Sequence, residues 1–250
     1  MERTAGDVDY DSDPVDYAGR RRTDPRIAAL VHAALGPART VINVGAGSGS
    51  YEPADRMVTA VEPSAAMRAQ RRSPAVDAVA EALPFDDDAF DAGMAMVTVH
   101  QWPDLAAGLR ELRRVVRGPV VVLSFDGDRF DRFWLYDYLP ELRVAEAARM
   151  PALDRLRAGL GGPTTVTEVP IPRDCQDGFI EAFYARPEQL LEPDVRAAQS
   201  AWSFVEPAVV DAALARLADD LGSGRWDSRY GAWRTASEYR GSLVLITATT

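Results

Sequence analysis

Three groups of residues have the types and spacing to do chemistry. The run V-I-N-V-G-A-G-S-G-S-Y at residues 41–51 sets Gly45, Gly47 and Gly49 directly after a short β-branched stretch. Without Cβ atoms, such a loop lets a ligand touch the backbone, although a plain tight turn uses the same residues. Glu62 closes a second apolar stretch, just before Pro63. A carboxylate at a strand tip can accept hydrogen bonds from both hydroxyls of a ribose; its plainer use is to cap the following helix. His100 lies in V-H-Q-W-P-D, past a fourth apolar stretch. An imidazole with an ordinary pKa of about 6.5 suits proton abstraction there, the alternative being a loop histidine bonded to local backbone. His32 sits among alanines and leucines at helical spacing and reads as structural.

The glycine spacing narrows the ligand. A dinucleotide site uses G-x-G-x-x-G opening a helix whose N-terminus faces the pyrophosphate. Here the pattern is G-x-G-x-G, and the segment that follows, residues 50–56, is short and contains Pro53. No full helix fits before the next strand, so a pyrophosphate loses its anion site. A nucleoside without phosphate fits better, and an NAD(P)-dependent oxidoreductase is disfavoured. A non-catalytic binding or protein-interaction module on the same fold stays open as an alternative.

The elements that must position these groups follow from periodicity. Asp24 caps a helix that starts at Pro25 and carries Ile27, Leu30, Val31 and Leu35 on one face, ending at Gly36-Pro37. Strands are predicted at 40–44, 57–61, 76–80, 90–99, 120–125, 165–171 and 242–249, and helices at 64–72, 104–117, 187–200 and 207–221. Short apolar strands alternating with helices predict an α/β fold: a Rossmann-like, seven-stranded, mostly parallel sheet with helices on both faces. Residues 126–165 break the rhythm after the fifth strand. They carry Phe130, Phe133, Trp134, Tyr136 and Tyr138 and read as a helical cap over a flat or apolar ligand, with Trp102, Trp134 and Tyr138 as candidate pocket walls. The rings equally serve as the cap's own core. Asp174, Cys175 and Asp177 fall at the same rim. The predicted organisation is a flexible segment at 1–16 and one domain at 17–250, with a further helical segment at about 175–222.

Bulk composition limits the function classes. A formal net charge of −10 works against nucleic acid as a partner, leaving the Arg20–Arg22 run as a local basic cluster. A single cysteine excludes a disulfide framework and any cysteine-ligated cluster within the chain, and no metal site is expected. The acidic start has no apolar stretch of signal type, and no run approaches the roughly 20 apolar residues that span a bilayer. The expectation is a cytoplasmic monomer or homodimer with no membrane partner.

Four blocks in order resemble the class I S-adenosylmethionine-dependent methyltransferases, in the small-molecule, ubiquinone-biosynthesis-like branch (methyltransferase type 11). They are the 41–51 loop, A-V-E-P-S at 60–64, A-E-A-L-P-F-D-D-D-A-F-D at 80–91, and V-H-Q-W-P-D with G-L-R-E-L-R-R-V-V-R at 108–117. The resemblance implies methyl transfer from S-adenosylmethionine to a small-molecule acceptor, giving S-adenosylhomocysteine. It implies that Gly45, Ala46, Gly47 and Gly49 approach the amino-acid and ribose part of the cofactor. Glu62, followed by Pro63, would hold the ribose, Ala80, Glu81 and Leu83 would lie along the adenine, and Val97 and Thr98 would floor the sulfonium. Tyr17 and Arg21 resemble a segment that closes over the cofactor carboxylate, a task for which the guanidinium fork is suited. Asn43 stands among these residues where the family usually has an acid, and Val79 where an Asp often meets the adenine. The helix after the first strand is truncated.

Overall fold

Strands that are apolar on both faces must be covered on both faces, and here each strand feeds two cores by alternation. The structure is a computed structural model that describes residues 21–249. β1 (Thr40–Val44), β2 (Met57–Val61), β3 (Ala75–Val76), β4 (Ala92–Met96) and β5 (Val120–Phe125) are parallel. β6 (Thr164–Glu168) follows; β7 (Ile171–Pro172) and β8 (Glu238–Tyr239) make a separate antiparallel ribbon. The last strand, β9 (Leu243–Ala248), inserts antiparallel between β5 and β6, so the seven-stranded sheet has the order β3-β2-β1-β4-β5-β9-β6. Val41, Met94, Val121 and Leu123 point into one core with Ile27 and Val31 of the Pro25–Ala34 helix and Leu35 at its C-cap. Their neighbours Ile42, Val44, Val120 and Val122 point into the other, with Leu105, Leu109 and Leu112 of the Leu105–Arg114 helix.

Caps set the helix starts. Asp24 accepts from the Arg26 N–H at 2.9 Å, and Asp104 accepts from the Ala107 N–H at 2.9 Å. Beyond β5 the chain forms short helices at Leu135–Tyr138, Pro140–Arg149 and Leu153–Leu160. Further on, the longest is Pro207–Ser223, stopped by Gly224 at φ 78°.

Several boundaries differ from the sequence reading. The third strand keeps two residues of ladder because it is an edge whose next residue, Asp77, turns to pair with Arg68 at 2.8 Å. The fourth strand stops at Met96 because Val97 adopts φ 53°. The sixth ends at Glu168, before Pro170, which has no N–H for a ladder. The helix predicted at 187–200 is divided into Pro187–Leu191, Pro193–Ala197 and the start of Ser200–Phe204. The Arg225–Tyr230 helix was not foreseen; it buries Trp226 completely, edge-on to Trp134 at 5.3 Å. Among the described residues no helix is long and apolar enough to cross a membrane, and no cluster of His, Cys, Asp and Glu could hold a metal.

Candidate functional site

The sheet order reverses between β1 and β4, so their carboxyl ends part and leave a crevice, the usual ligand position in an open α/β sheet. A cleft of about 570 Å³ opens there, lined by Gly45, Ala46, Gly47, Ser48, Glu62, Met96, Val97 and Thr98, with Arg21 and Gln101 at its side. The Gly47 N–H donates to Glu62 Oε2 at 2.7 Å, and the Ser64 N–H to Glu62 Oε1 at 2.9 Å. Each carboxylate oxygen keeps acceptor capacity beyond that one bond. A glycine bend and a neighbouring strand's carboxylate therefore face one cleft, with room on Glu62 for a vicinal diol. The helix that would present an anion site after β1 is absent, residues 50–56 being turn, bend and irregular chain.

The glycines act partly on the protein itself. A Cβ on Gly45, at φ 67°, would lie 2.1 Å from Thr98 Oγ1, so this glycine lets β1 and β4 approach each other at the cleft floor. Behind the loop, Arg71 donates to the carbonyls of Gly47 at 3.0 Å and Ala46 at 3.3 Å, and clasps both oxygens of Glu52. Asn43 donates to Glu52 Oε1 at 2.9 Å. The amide at the position of the family's usual acid thus joins a Glu52–Arg71 pair that fixes the loop from beneath.

A second cavity, also about 570 Å³, adjoins the first; Arg21 and Val97 line both. Its walls include His100, Phe125, Phe130, Tyr136, Glu146, Arg149, Phe179 and Glu181. Val97 is a β-branched residue at φ 53°, a strained conformation that persists only where its surroundings enforce it. It stands between the two spaces. Arg21 donates to Asp177 Oδ1 at 2.6 Å, and the buried Tyr51 hydroxyl donates to Asp177 Oδ2 at 2.6 Å. Asp24 accepts from the Gln176 N–H at 3.1 Å, so residues 174–178 are tied both to the N-terminal helix and to the end of the glycine loop.

Of the sequence candidates, Arg21, Gly45, Ala46, Gly47, Glu62, Val97 and Thr98 come together around the first cleft, and His100 lines the second cavity. Tyr17 lies outside the described residues. Asn43, Gly49, Pro63, Ala80, Glu81 and Leu83 do not line the cleft. The Leu83 N–H is committed to Glu111 Oε2 at 3.0 Å, and the Glu81 carboxylate takes the Asp104 N–H at 3.0 Å. Three pocket-wall expectations are corrected. Trp102 fills the space above Gly108, whose Cβ would meet it at 2.5 Å. Trp134 donates to the Tyr184 carbonyl at 2.9 Å within an aromatic core, and the Tyr138 hydroxyl bonds Asp220 at 2.7 Å. Phe130 and Tyr136, from the same aromatic run, face the cavity instead. His100 also differs from expectation: full burial, then Arg149 and Arg21, push its pKa down to about 3, so it is a neutral imidazole, 2.9 Å from the Gln101 amide. Cys175 is buried and its thiol is pushed up to about 12, which makes it inert. Glu52, Arg71 and Glu181 gave no sequence signal, since their partners lie at no fixed spacing.

Fold and cleft together define a Rossmann-like α/β protein with a glycine-lined cleft at its topological switch point. Residues 42–124 match the methyltransferase domain family. A protein of Anabaena variabilis ATCC 29413 assigned as a methyltransferase of an antibiotic biosynthesis pathway is 30% identical, with a TM-score of 0.85 over 92% of this chain and 99% of that one. The uncharacterized protein YafE of Escherichia coli (strain K12) is 32% identical over 77 residues, which are 30% of this chain and 37% of that protein's length. The [4+2]-cyclase SpnF shares the fold at a TM-score of 0.55 and 16% identity, covering 94% of this chain and 91% of that one, so this fold alone does not fix a reaction. The chain belongs to the class I S-adenosylmethionine-dependent methyltransferases, and S-adenosylmethionine is its cofactor.

Proposed function

We propose that the chain methylates a small, largely apolar acceptor held in the second cavity, with the cofactor in the first. The observation that carries this is the shared wall: two spaces of similar size meet at Val97 and Arg21, at the tip of β4. When bound, S-adenosylmethionine supplies an electrophilic methyl carbon on a sulfonium, which leaves as a neutral thioether. Glu62 would take the ribose hydroxyls, and the Gly45–Gly47 backbone would flank the sugar and amino-acid portion. Arg21, held by Asp177, sits where it can meet the cofactor carboxylate. Positioning does most of the work in such a displacement, because holding the nucleophile about 3–3.5 Å from the carbon replaces an encounter in solution. The aromatic walls exclude water and suit a flat acceptor. His100, neutral at its depressed pKa, offers a ring nitrogen to orient the acceptor and is a poor resting place for a proton.

Calorimetry with S-adenosylhomocysteine and with NADH tests the cofactor half. Binding of the former and none of the latter is expected; the reverse result would sink the proposal. For the acceptor half, Met150 lines the second cavity, so M150W should narrow it, lowering turnover of a screened acceptor while S-adenosylhomocysteine affinity holds. Equal loss of both would place the acceptor elsewhere.

A further inference from the structure

We propose that the acceptor is a basic amine on a flat apolar body, and that Glu181 is the group that receives its ammonium head. This rests on the second cavity being the acceptor site. Four rings line that cavity in two packed pairs, Phe125 with Phe179 at 5.7 Å between centroids and Phe130 with Tyr136 at 5.6 Å. Aromatic faces attract cations as well as apolar bodies, so they discriminate little by themselves.

The charges decide. Arg21 is matched by Asp177, and Arg149 by Glu146 at 2.8 Å. His100 is neutral. Glu181, 2% exposed, is left over: its oxygens accept from the Ser242 N–H at 3.1 and 3.2 Å, and among the described residues no cation pairs with it. Gly241 makes room for this carboxylate and for the Tyr239 ring, since a Cβ there would lie 2.2 Å from Tyr239 Cε1 and 2.7 Å from each Glu181 oxygen. Burial, with Glu146 adding to it, pushes the Glu181 pKa up to about 7, as expected of a carboxylate lacking a counter-charge. With the Arg21–Asp177 and Arg149–Glu146 pairs balanced, an anionic acceptor would meet the remaining Glu181 carboxylate, and a neutral one would leave it uncompensated. An ammonium supplies the missing charge in a setting where a buried ion is costly until paired. The same contact prepares the nucleophile. Ionised Glu181 can take one ammonium proton, breaking an N–H bond and forming an O–H bond, while the electron pair stays on nitrogen as the lone pair.

The test is calorimetry on the full chain saturated with S-adenosylhomocysteine, using 2-phenylethylamine, 2-phenylethanol and 3-phenylpropanoate as probes. The amine should bind at least about 10-fold more tightly than the other two, about 1.4 kcal/mol. E181Q, which keeps an acceptor for the Ser242 N–H, should abolish that preference and change the alcohol's affinity by less than about 2-fold. Equal or tighter binding of the alcohol or the carboxylate overturns the proposal, as does absence of saturable amine binding or a preference that survives E181Q. The wild-type comparison needs no variant, so it stands even if E181Q folds poorly. If S-adenosylhomocysteine itself fails to bind, the cofactor assignment falls; if it binds and the amine is not preferred, only the amine assignment falls.

Discussion

Glu62 does two jobs with one carboxylate. It secures the N–H groups of Gly47 and Ser64, and in the proposed function its remaining lone pairs serve the ribose. E62A should therefore weaken S-adenosylhomocysteine binding by about 1–3 kcal/mol in calorimetry, as for other charge-assisted hydrogen bonds. E62Q keeps one carbonyl acceptor and should lose less. His100 and Glu181 make a second residue-scale prediction through opposite pH dependences. The folded-state pKa of His100 is depressed to about 3, so the unfolded chain binds its proton first and stability falls as pH drops below about 6.5. The folded-state pKa of Glu181 is raised to about 7, so its stability share is full below the ordinary carboxylate range and is lost as pH rises toward 7. Between about pH 4.5 and 6.5 the two slopes, each about 1.4 kcal/mol per pH unit, oppose one another. Relative to wild type, H100Q should lose stability as pH rises through this window and E181Q should gain it, read by urea denaturation at several pH values. Parallel curves for all three proteins would refute both assignments.

At the scale of elements, the cleft depends on two strand ends brought unusually close. Gly45 and Thr98 nearly touch, and Val97 is strained at the tip of β4. G45A should cost about 2–4 kcal/mol, combining positive-φ strain with a clash against Thr98. T98A should recover part of that loss, with a coupling energy of about 0.5–3 kcal/mol in a double-mutant cycle. Strict additivity would show that the two strand ends do not press on one another. Strand and helix identities were legible because apolar periodicity and Asp, Gly and Pro punctuation are local. Boundaries were less so: β4 stops at a residue whose conformation is imposed by neighbours, and β3 is cut short because edge position gives it one partner strand. The glycine bend at the cleft was legible, whereas the Arg71–Glu52 brace beneath it was not, because guanidinium reach sets no sequence spacing.

On the whole-molecule scale, Asp177 links parts far apart in sequence. It holds Arg21 and Tyr51, and so joins the N-terminal helix region, the end of the glycine loop and the segment after β7. Removing one member of a buried ion pair strands the other, which typically costs about 3–5 kcal/mol. D177A should lower the melting temperature by about 10 °C, at a few degrees per kcal/mol for a chain of this size, and should weaken S-adenosylhomocysteine binding as well. A stability loss with unchanged affinity would mean the clamp does not support the cofactor cleft.

The sequence by itself determined the sheet-and-helix alternation, the glycine bend, the carboxylate at the tip of β2 and the family resemblance they carry. All of these are written in spacings of a few residues, which periodicity and turn chemistry can decode. Only the tertiary structure decided which aromatic rings face the second cavity, that His100 is neutral, and that Glu181 has no counter-charge among the described residues. The reason is that exposure and charge balance are sums over contacts between distant segments, such as Tyr51 with Asp177, 126 residues apart. Trp134 and Phe130 are four residues apart in one aromatic run, yet one anchors a core and the other lines the cavity, because packing against Trp226 and Tyr184 fixes which way the run turns.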